Sequence, residues 1–290
     1  MNATMACIAG EEIHRQWNAG RFIGKALGPR TTPFGQSSEI FLAEDDAPFY
    51  LMPRTGNALD KTPAARVNHR ANLYALKDMG VLHILDWGPG GAVTHNMAVG
   101  DLVILDDVID QTRLRQRTFF EDNCLGFLRQ FPVFCPPLRK VLGNVLTELR
   151  LLHHDAGIAA VSEGPRLETP AEIRMLANMG AQVVTHSFVP EAFLAKELEM
   201  CYAPLCYLVN YAETGSRHRP FAAGELFGGL TQRSDSERLH QALGGMHQIV
   251  RQVAQALVDA PSACDCTKTM EHSRRMYHLD VDWRKWVRPS

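Results

Sequence analysis

An α/β fold, a central mixed sheet covered on both faces by helices, is what this sequence predicts, on three observations. Short apolar runs alternate with amphipathic stretches along most of the chain. Helix punctuation separates them, with proline just inside the starts and glycine just past the ends. No internal repeat interrupts the alternation, as expected of strands and helices wound around one sheet.

The elements follow in order. "MACIA" (5–9) is a short buried strand, and "EIFLA" and "FYLM" are two more, separated by the acidic turn Glu44-Asp45-Asp46. Thr62-Pro63 opens a helix with Val67, Ala71 and Tyr74 on one face, stopping at Gly80. "VLHILDW" and "GDLVILDDVI" are strands, with "GPGGA" (88–92) between them read as a turn. Leu138, Val141, Leu142, Val145 and Leu149 repeat at helical spacing. His153-His154-Asp155 then reads as a solvated loop and "GIAAVSE" as a strand. Thr169-Pro170-Ala171-Glu172 is a capping box with proline in its first turn, and Gly180 follows its helix. "AQVVTHS" is a strand, "PEAFLAKELEM" a helix and "APLCYLVNYA" a strand. Residues 213–233, rich in Gly, Arg and Ser, read as a mobile loop. Ser234-x-x-Glu237 caps a last long helix with Leu239, Leu243, Met246, Val250, Val253 and Leu257 on one face. The expected division is a domain over 1–260 and a polar tail over 261–290, containing Trp283 and Trp286, that packs late or on a neighbour.

Composition narrows the function. At 290 residues and 46% hydrophobic, the chain can bury a sizeable core. A formal net charge of −2 gives no broad surface for nucleic acid. No apolar run reaches the roughly 18 residues of a membrane span, and the N-terminus lacks the pattern of a secretory signal. Cys7, Cys124, Cys135, Cys201, Cys206, Cys264 and Cys266 are odd in number and scattered, which predicts reduced thiols and a cytoplasmic location. Cys264-Asp265-Cys266 is the one close pair. Its gap is shorter than zinc motifs use, so no metal is expected.

In open α/β sheets ligands bind beyond the carboxyl ends of strands. Glu163 to Glu168, Thr185-His186-Ser187 and Asn210-Tyr211-Ala212 fall at three such ends. The spelling there is specific. "EGPRLETPAEIRML", "MGAQVV", "VPEAFLAKELEMCYA" and "NYA", preceded by "PRTG", "RVNHRANLYALKDMGV" and "VGDLVILDDVIDQTRLRQRTFF", resemble the trimeric purine nucleoside phosphorylase and methylthioadenosine phosphorylase family over roughly residues 5 to 258. The resemblance implies a single-domain nucleoside phosphorylase/hydrolase fold and a homotrimer. It implies cleavage of a purine N-glycosidic bond, with phosphate attacking ribose C1′ through an oxocarbenium-like transition state. No cofactor is expected beyond inorganic phosphate as co-substrate, and no nucleic-acid or membrane partner.

By this resemblance Glu168 accepts from purine N1–H and Asn210 contacts N7 and O6, an amide being able both to donate and to accept. Leu167 stands where many relatives stack an aromatic on the base. Adenine-specific relatives carry Asp-x-Asp where this chain has Asn210-Tyr211-Ala212, so a 6-oxopurine preference is implied, as in methylthioinosine phosphorylases. His186 replaces a methionine that lies against the ribose.

The phosphate subsite departs from the family. Ala9-Gly10-Glu11-Glu12 replaces a Gly-Gly-(Ser/Thr)-Gly cradle, Thr55 replaces a histidine and Gly88 a hydroxyl donor, while Pro89 lacks an N–H. A carboxylate about 4 Å from a phosphate charge costs about 4 kcal/mol at an effective dielectric of about 20. Three readings stay open. Water replaces phosphate, with Glu11, Glu12 or His14 as general base and Glu11 the leading candidate. Alternatively, phosphate is held by Arg54, Arg66 and Ser187, or the chain binds nucleosides without catalysis.

Overall fold

Alternating faces organise the core. The computed structural model describes residues 3–56, 62–212, 233–259 and 264–289. Along β1 (Met5–Ala9), Ala6 and Ile8 enter one apolar cluster while Met5, Cys7 and Ala9 enter another on the opposite face. The chain continues through α1 (Glu12–Asn18), β2 (Gly24–Gly28), a small hairpin of β3 (Thr31–Thr32) and β4 (Gly35–Gln36), β5 (Ile40–Ala43) and β6 (Phe49–Pro53). Next come α2 (His69–Asp78), β7 (His83–Ala92), β8 (Leu102–Ile104), β9 (Asp107–Asp110) and α3 (Pro136–Glu148). Then follow β10 (His153–His154), β11 (Ile158–Val161), α4 (Pro170–Asn178), β12 (Val183–Thr185), α5 (Glu191–Glu197) and β13 (Cys201–Tyr211), and finally α6 (Arg233–Asp259) and α7 (Glu271–Tyr277).

Eleven strands form one sheet, along which β10, β8, β13, β7, β1, β6, β5 and β2 are successive neighbours. β7 is the hub. It runs parallel to β1 and β13 and, at its far end, antiparallel to β12, which leads on through β11 to β9. The sheet is therefore mixed. One face is covered by residues of α2 and α5, such as Leu73, Leu76 and Leu194. The other is covered by α1, α3 and α6 through Ile13, Leu138, Leu142, Val250 and Val253. A third cluster, with Ile173 and Leu176 of α4, lies against Val184 and Ala212.

Four local expectations are corrected. The helix expected at Thr62 begins at Asn68, whose side chain accepts from the Ala71 N–H, after a separate 3-10 turn at Ala64–Arg66. "GPGGA" is no turn; it completes the ten-residue β7 between β13 and β12. "GDLVILDDVI" divides into β8 and β9, because the chain leaves β13 to join β11. His153-His154 is a two-residue edge strand on β8, with His154 Nε2 at 2.9 Å from Asp101. The capping box at Thr169 forms as written. The Gly/Arg/Ser stretch expected as a mobile loop falls almost entirely on 213–232, outside the described residues.

Residues 264–289 fold onto the body of this same chain. Met270, Trp286 and Val287 are buried in the cluster that holds α2 and α5. Trp283 meets Tyr74 edge to face at 4.8 Å, and Trp286 stacks on Phe120 at 6.0 Å. Among the described residues no helix is long and apolar enough to cross a membrane.

Candidate active site

The parallel strands β1, β6, β7 and β13 end on the same side of the sheet, and β12 crosses the end of β7. There a cavity of about 110 Å³ is lined by Pro89, Gly90 and Gly91 of β7, by Leu167, Glu168 and Ile173 around the start of α4, by Val184 to Ser187, and by Val209, Asn210 and Ala212. It is smaller than the roughly 300–1,000 Å³ of a whole-ligand cleft and suits one ring system.

Five of the residues singled out in the sequence meet here: Leu167, Glu168, His186, Ser187 and Asn210. Asn210 arrives through a bulge. The register runs from Leu208 opposite Gly90 directly to Asn210 opposite Gly91, and the extra residue, Val209, re-aims the strand end. Glu168 Oε1 takes hydrogen bonds from the Ser162 hydroxyl and from His186 Nε2, the latter at 3.3 Å. Burial opposes ionisation of Glu168, but the bonds from His186 and Ser162 outweigh it and hold the carboxyl below its ordinary range. His186 is thus tied to the carboxylate expected to read the base. Its ring closes over Gly164 (φ +68°), where an added Cβ would sit 2.8 Å from Nδ1.

A buried ion network adjoins this cavity through Ser187. Arg54, at 4% exposure, donates from Nε to Glu191 at 2.8 Å, contacts Asp86 through a second nitrogen, and approaches Ser187 Oγ from a third at 3.4 Å. His69 Nδ1 is 3.1 Å from Glu191, and the Tyr202 hydroxyl donates to Asp86 at 2.5 Å. Burial lifts the Asp86 carboxyl to about 6. For Glu191 burial pushes the same way, but His69 and Arg54 hold it well down. Arg54 and Ser187, expected as an anion site, are adjacent, yet the guanidinium is already engaged by two carboxylates. Arg66, the third expected partner, is exposed on its 3-10 turn and does not line the cavity.

The two glutamates after β1 point apart. Glu11, expected to activate water, is exposed and lies 3.3 Å from Arg15 one turn along α1. Glu12 is the inward one, 8% exposed, accepting from the Tyr207 hydroxyl at 2.6 Å. Helical geometry separates neighbouring side chains by about 100°, so only one of the pair can face the sheet. His14 reaches Gly56 O at 3.1 Å rather than the cavity. Gly88 could not carry the missing hydroxyl, because a Cβ there would lie 2.9 Å from Ser187 Cβ and 2.8 Å from the Phe188 ring.

Sequence reasoning missed Asp86, Glu191, His69, Ser162 and Arg115. Arg115 is 5% exposed and donates to the carbonyls of Ser162, Glu163, His186 and Val189, so one guanidinium pins both loops that carry the cavity's polar groups. Asp86 did carry a signal, an acid inside an apolar strand. Arg115 lay in a basic, polar stretch that looked exposed.

Comparison with known proteins identifies the family. Residues 31–259 match the phosphorylase superfamily. The chain belongs to that superfamily. It is 43% identical over 188 residues to a probable 6-oxopurine nucleoside phosphorylase of Thermococcus kodakarensis, covering 62% of this chain and 70% of the relative. It is 36% identical over 206 residues to a probable S-methyl-5′-thioinosine phosphorylase of Methanothermobacter thermautotrophicus, covering 71% and 70%. A methylthioadenosine phosphorylase from an antarctic soil metagenomic library shares the fold, with a TM-score of 0.80 at 22% identity over 93% of this chain and 91% of that one.

Proposed function

We propose that this chain cleaves the N-glycosidic bond of purine nucleosides, 5′-methylthio nucleosides included, and prefers 6-oxopurine bases. The observation that carries the reading is the convergence of Glu168 and Asn210, from separate strand ends, on one cavity sized for a base. A carboxylate held ionised is acceptor-only and pairs with the N1–H of a 6-oxopurine, whereas adenine presents a lone pair at N1. The Asn210 amide can donate to O6 and accept from N7–H, which stabilises charge building on the departing base. Leu167 and Ile173 supply apolar surface for the ring. His186 orients Glu168 through Nε2 and lines the same cavity, where the sugar would lie against it. The names of the relatives, 6-oxopurine and methylthioinosine phosphorylases, support the same reading.

Phosphate is the proposed nucleophile, with Ser187 and Arg54 beside it. Ser187 Oγ faces Arg54 as an acceptor and so keeps its own proton to donate. The reaction draws on no further cofactor. We also propose a cytoplasmic homotrimer; Phe127 and Phe131, more than nine-tenths exposed, are apolar surface that a neighbouring subunit would cover. Light scattering on the purified chain tests the trimer.

One observation favours a second reading, in which water replaces phosphate: of the two glutamates after β1 one, Glu12, is buried and turned inward on Tyr207. Release of base from inosine, guanosine, methylthioinosine and methylthioadenosine, with and without phosphate, separates the two. Phosphate-dependent release from the 6-oxo substrates is expected. Equal release without phosphate, abolished by Glu12→Gln, would establish hydrolysis. No release alongside measurable nucleoside binding would mean a binding protein.

A further inference from the structure

The chain carries a second cluster of chemically active side chains, apart from the nucleoside cavity. The sequence treated Cys264-Asp265-Cys266 as an isolated pair. In the fold it meets Cys135 and Cys201, and the four Sγ atoms all lie within 4.8 Å of one another. The Cys201 and Cys264 sulfurs are 3.3 Å apart, and all four are free thiols. Cys135 precedes α3, Cys201 opens β13, and Cys264 and Cys266 lie at the start of the segment that returns to the core. Three separate stretches of chain therefore bring four sulfurs to one point.

We propose that Cys135, Cys201, Cys264 and Cys266 form a tetrathiolate site for one structural divalent zinc ion. A zinc–sulfur bond of about 2.3 Å makes a regular tetrahedron with edges of about 3.8 Å, and that edge lies between the 3.3 Å of Cys201 to Cys264 and the 4.8 Å within which all four sulfurs fall. Thiolate ligands without histidine or carboxylate favour a soft, tetrahedral ion. Four protein ligands complete the shell and leave no position for substrate, which makes the site structural. The surroundings suit thiolates. Cys135 sits at the N-terminus of the 13-residue α3, where the helix dipole favours negative charge. Lys196 and Lys268 line the same cleft as Cys135, Cys264 and Cys266 and bring positive charge to the cluster. Binding one Zn²⁺ sends the remaining thiol protons to solvent, with no change of oxidation state.

The site would fasten the returning segment to the body. Beyond Cys266 that segment supplies Met270, Trp286 and Val287 to the core. Apolar contacts, ion pairs such as Arg274 with Glu199 at 2.7 Å, and bonds such as Thr269 Oγ1 to Lys196 O at 2.7 Å hold the rest of the segment. Metal affinity here is folding free energy.

The test uses the full chain, purified with a non-chelating reductant and no chelator. Elemental analysis is expected to find one equivalent of zinc per chain. Exchange for cobalt is expected to give the intense visible bands of a tetrahedral thiolate site. Removing the metal should lower Tm by about 5 °C or more. Cys264→Ser and Cys266→Ser should each lose the metal, while Cys124→Ser, at an exposed cysteine outside the cluster, should keep it. If a variant fails to fold, metal content and the cobalt spectrum of the wild-type chain still decide. Metal-free protein that takes up neither zinc nor cobalt when reduced overturns the proposal. So does an intact mass showing that these cysteines have lost hydrogens to disulfides in the protein as purified.

Discussion

Glu168 is the side chain on which the proposed base preference rests. Its acceptor character depends on Ser162 and His186, which hold the carboxyl ionised against its burial. Glu168→Gln replaces one acceptor oxygen with a donor, so the site can then pair with adenine N1 as well. We expect kcat/KM for inosine to fall at least tenfold and the inosine-to-adenosine ratio to shrink by a larger factor. An unchanged ratio would remove Glu168 from base recognition. Asn210→Ala leaves the departing base without its amide donor, a loss of the order of 10²–10³ in kcat where such donors act on developing charge. A KM effect alone would instead mark Asn210 as a ground-state contact. Both residues stand at the ends of strands, but it was the resemblance to the phosphorylase family that singled them out. The sequence could not tell Glu11 from Glu12, since adjacent acids differ only in which way the helix turns them.

At the scale of elements, the start of α4 joins stability to the site. Thr169 accepts from the Glu172 N–H at 3.2 Å, and the Glu172 carboxylate accepts from the Thr169 N–H at 2.8 Å and pairs with Arg166. Glu168 immediately precedes this cap. Thr169→Ala is expected to cost about 1 kcal/mol, a fall in Tm of roughly 2–4 °C, with KM for nucleoside raised more than kcat is lowered. Thermal scans and initial rates on the same preparation check both halves. This cap was legible because its chemistry is local. The extension of β7 through Gly88 to Ala92 was not, because Gly and Pro signal turns unless neighbouring strands demand a close approach.

Across the whole molecule, buried acids give stability a pH dependence of known sign. Glu197 at the end of α5 is 4% exposed, accepting from Thr118 Oγ1 at 2.6 Å and from the Phe119 N–H at 2.7 Å. Burial outweighs these bonds and lifts its carboxyl to about 7, from an ordinary value of 4.5. The folded state therefore holds a proton that the unfolded chain gives up. That contribution is complete below about pH 4.5 and lost as pH rises through 7. Glu197→Gln, which is neutral throughout, should gain Tm over the wild type at pH 8 and lose that advantage near pH 5. A pH-independent gap between the two proteins would show that Glu197 is not protonated in the fold.

By itself the sequence determined the α/β class, most of the strands, the capped helix at Thr169 and five of the residues that line the cavity, because each of these is written in local periodicity, capping chemistry or contiguous motif. Tertiary structure decided what depends on meetings between distant segments. It spent the Arg54 charge on Asp86 and Glu191, turned Glu12 inward, pinned two site loops with Arg115, and carried Cys264 and Cys266 to Cys135 and Cys201. The physical reason is the same in each case. Burial and charge pairing are set by neighbours in space, and residues tens to hundreds of positions apart become neighbours only once the sheet has formed.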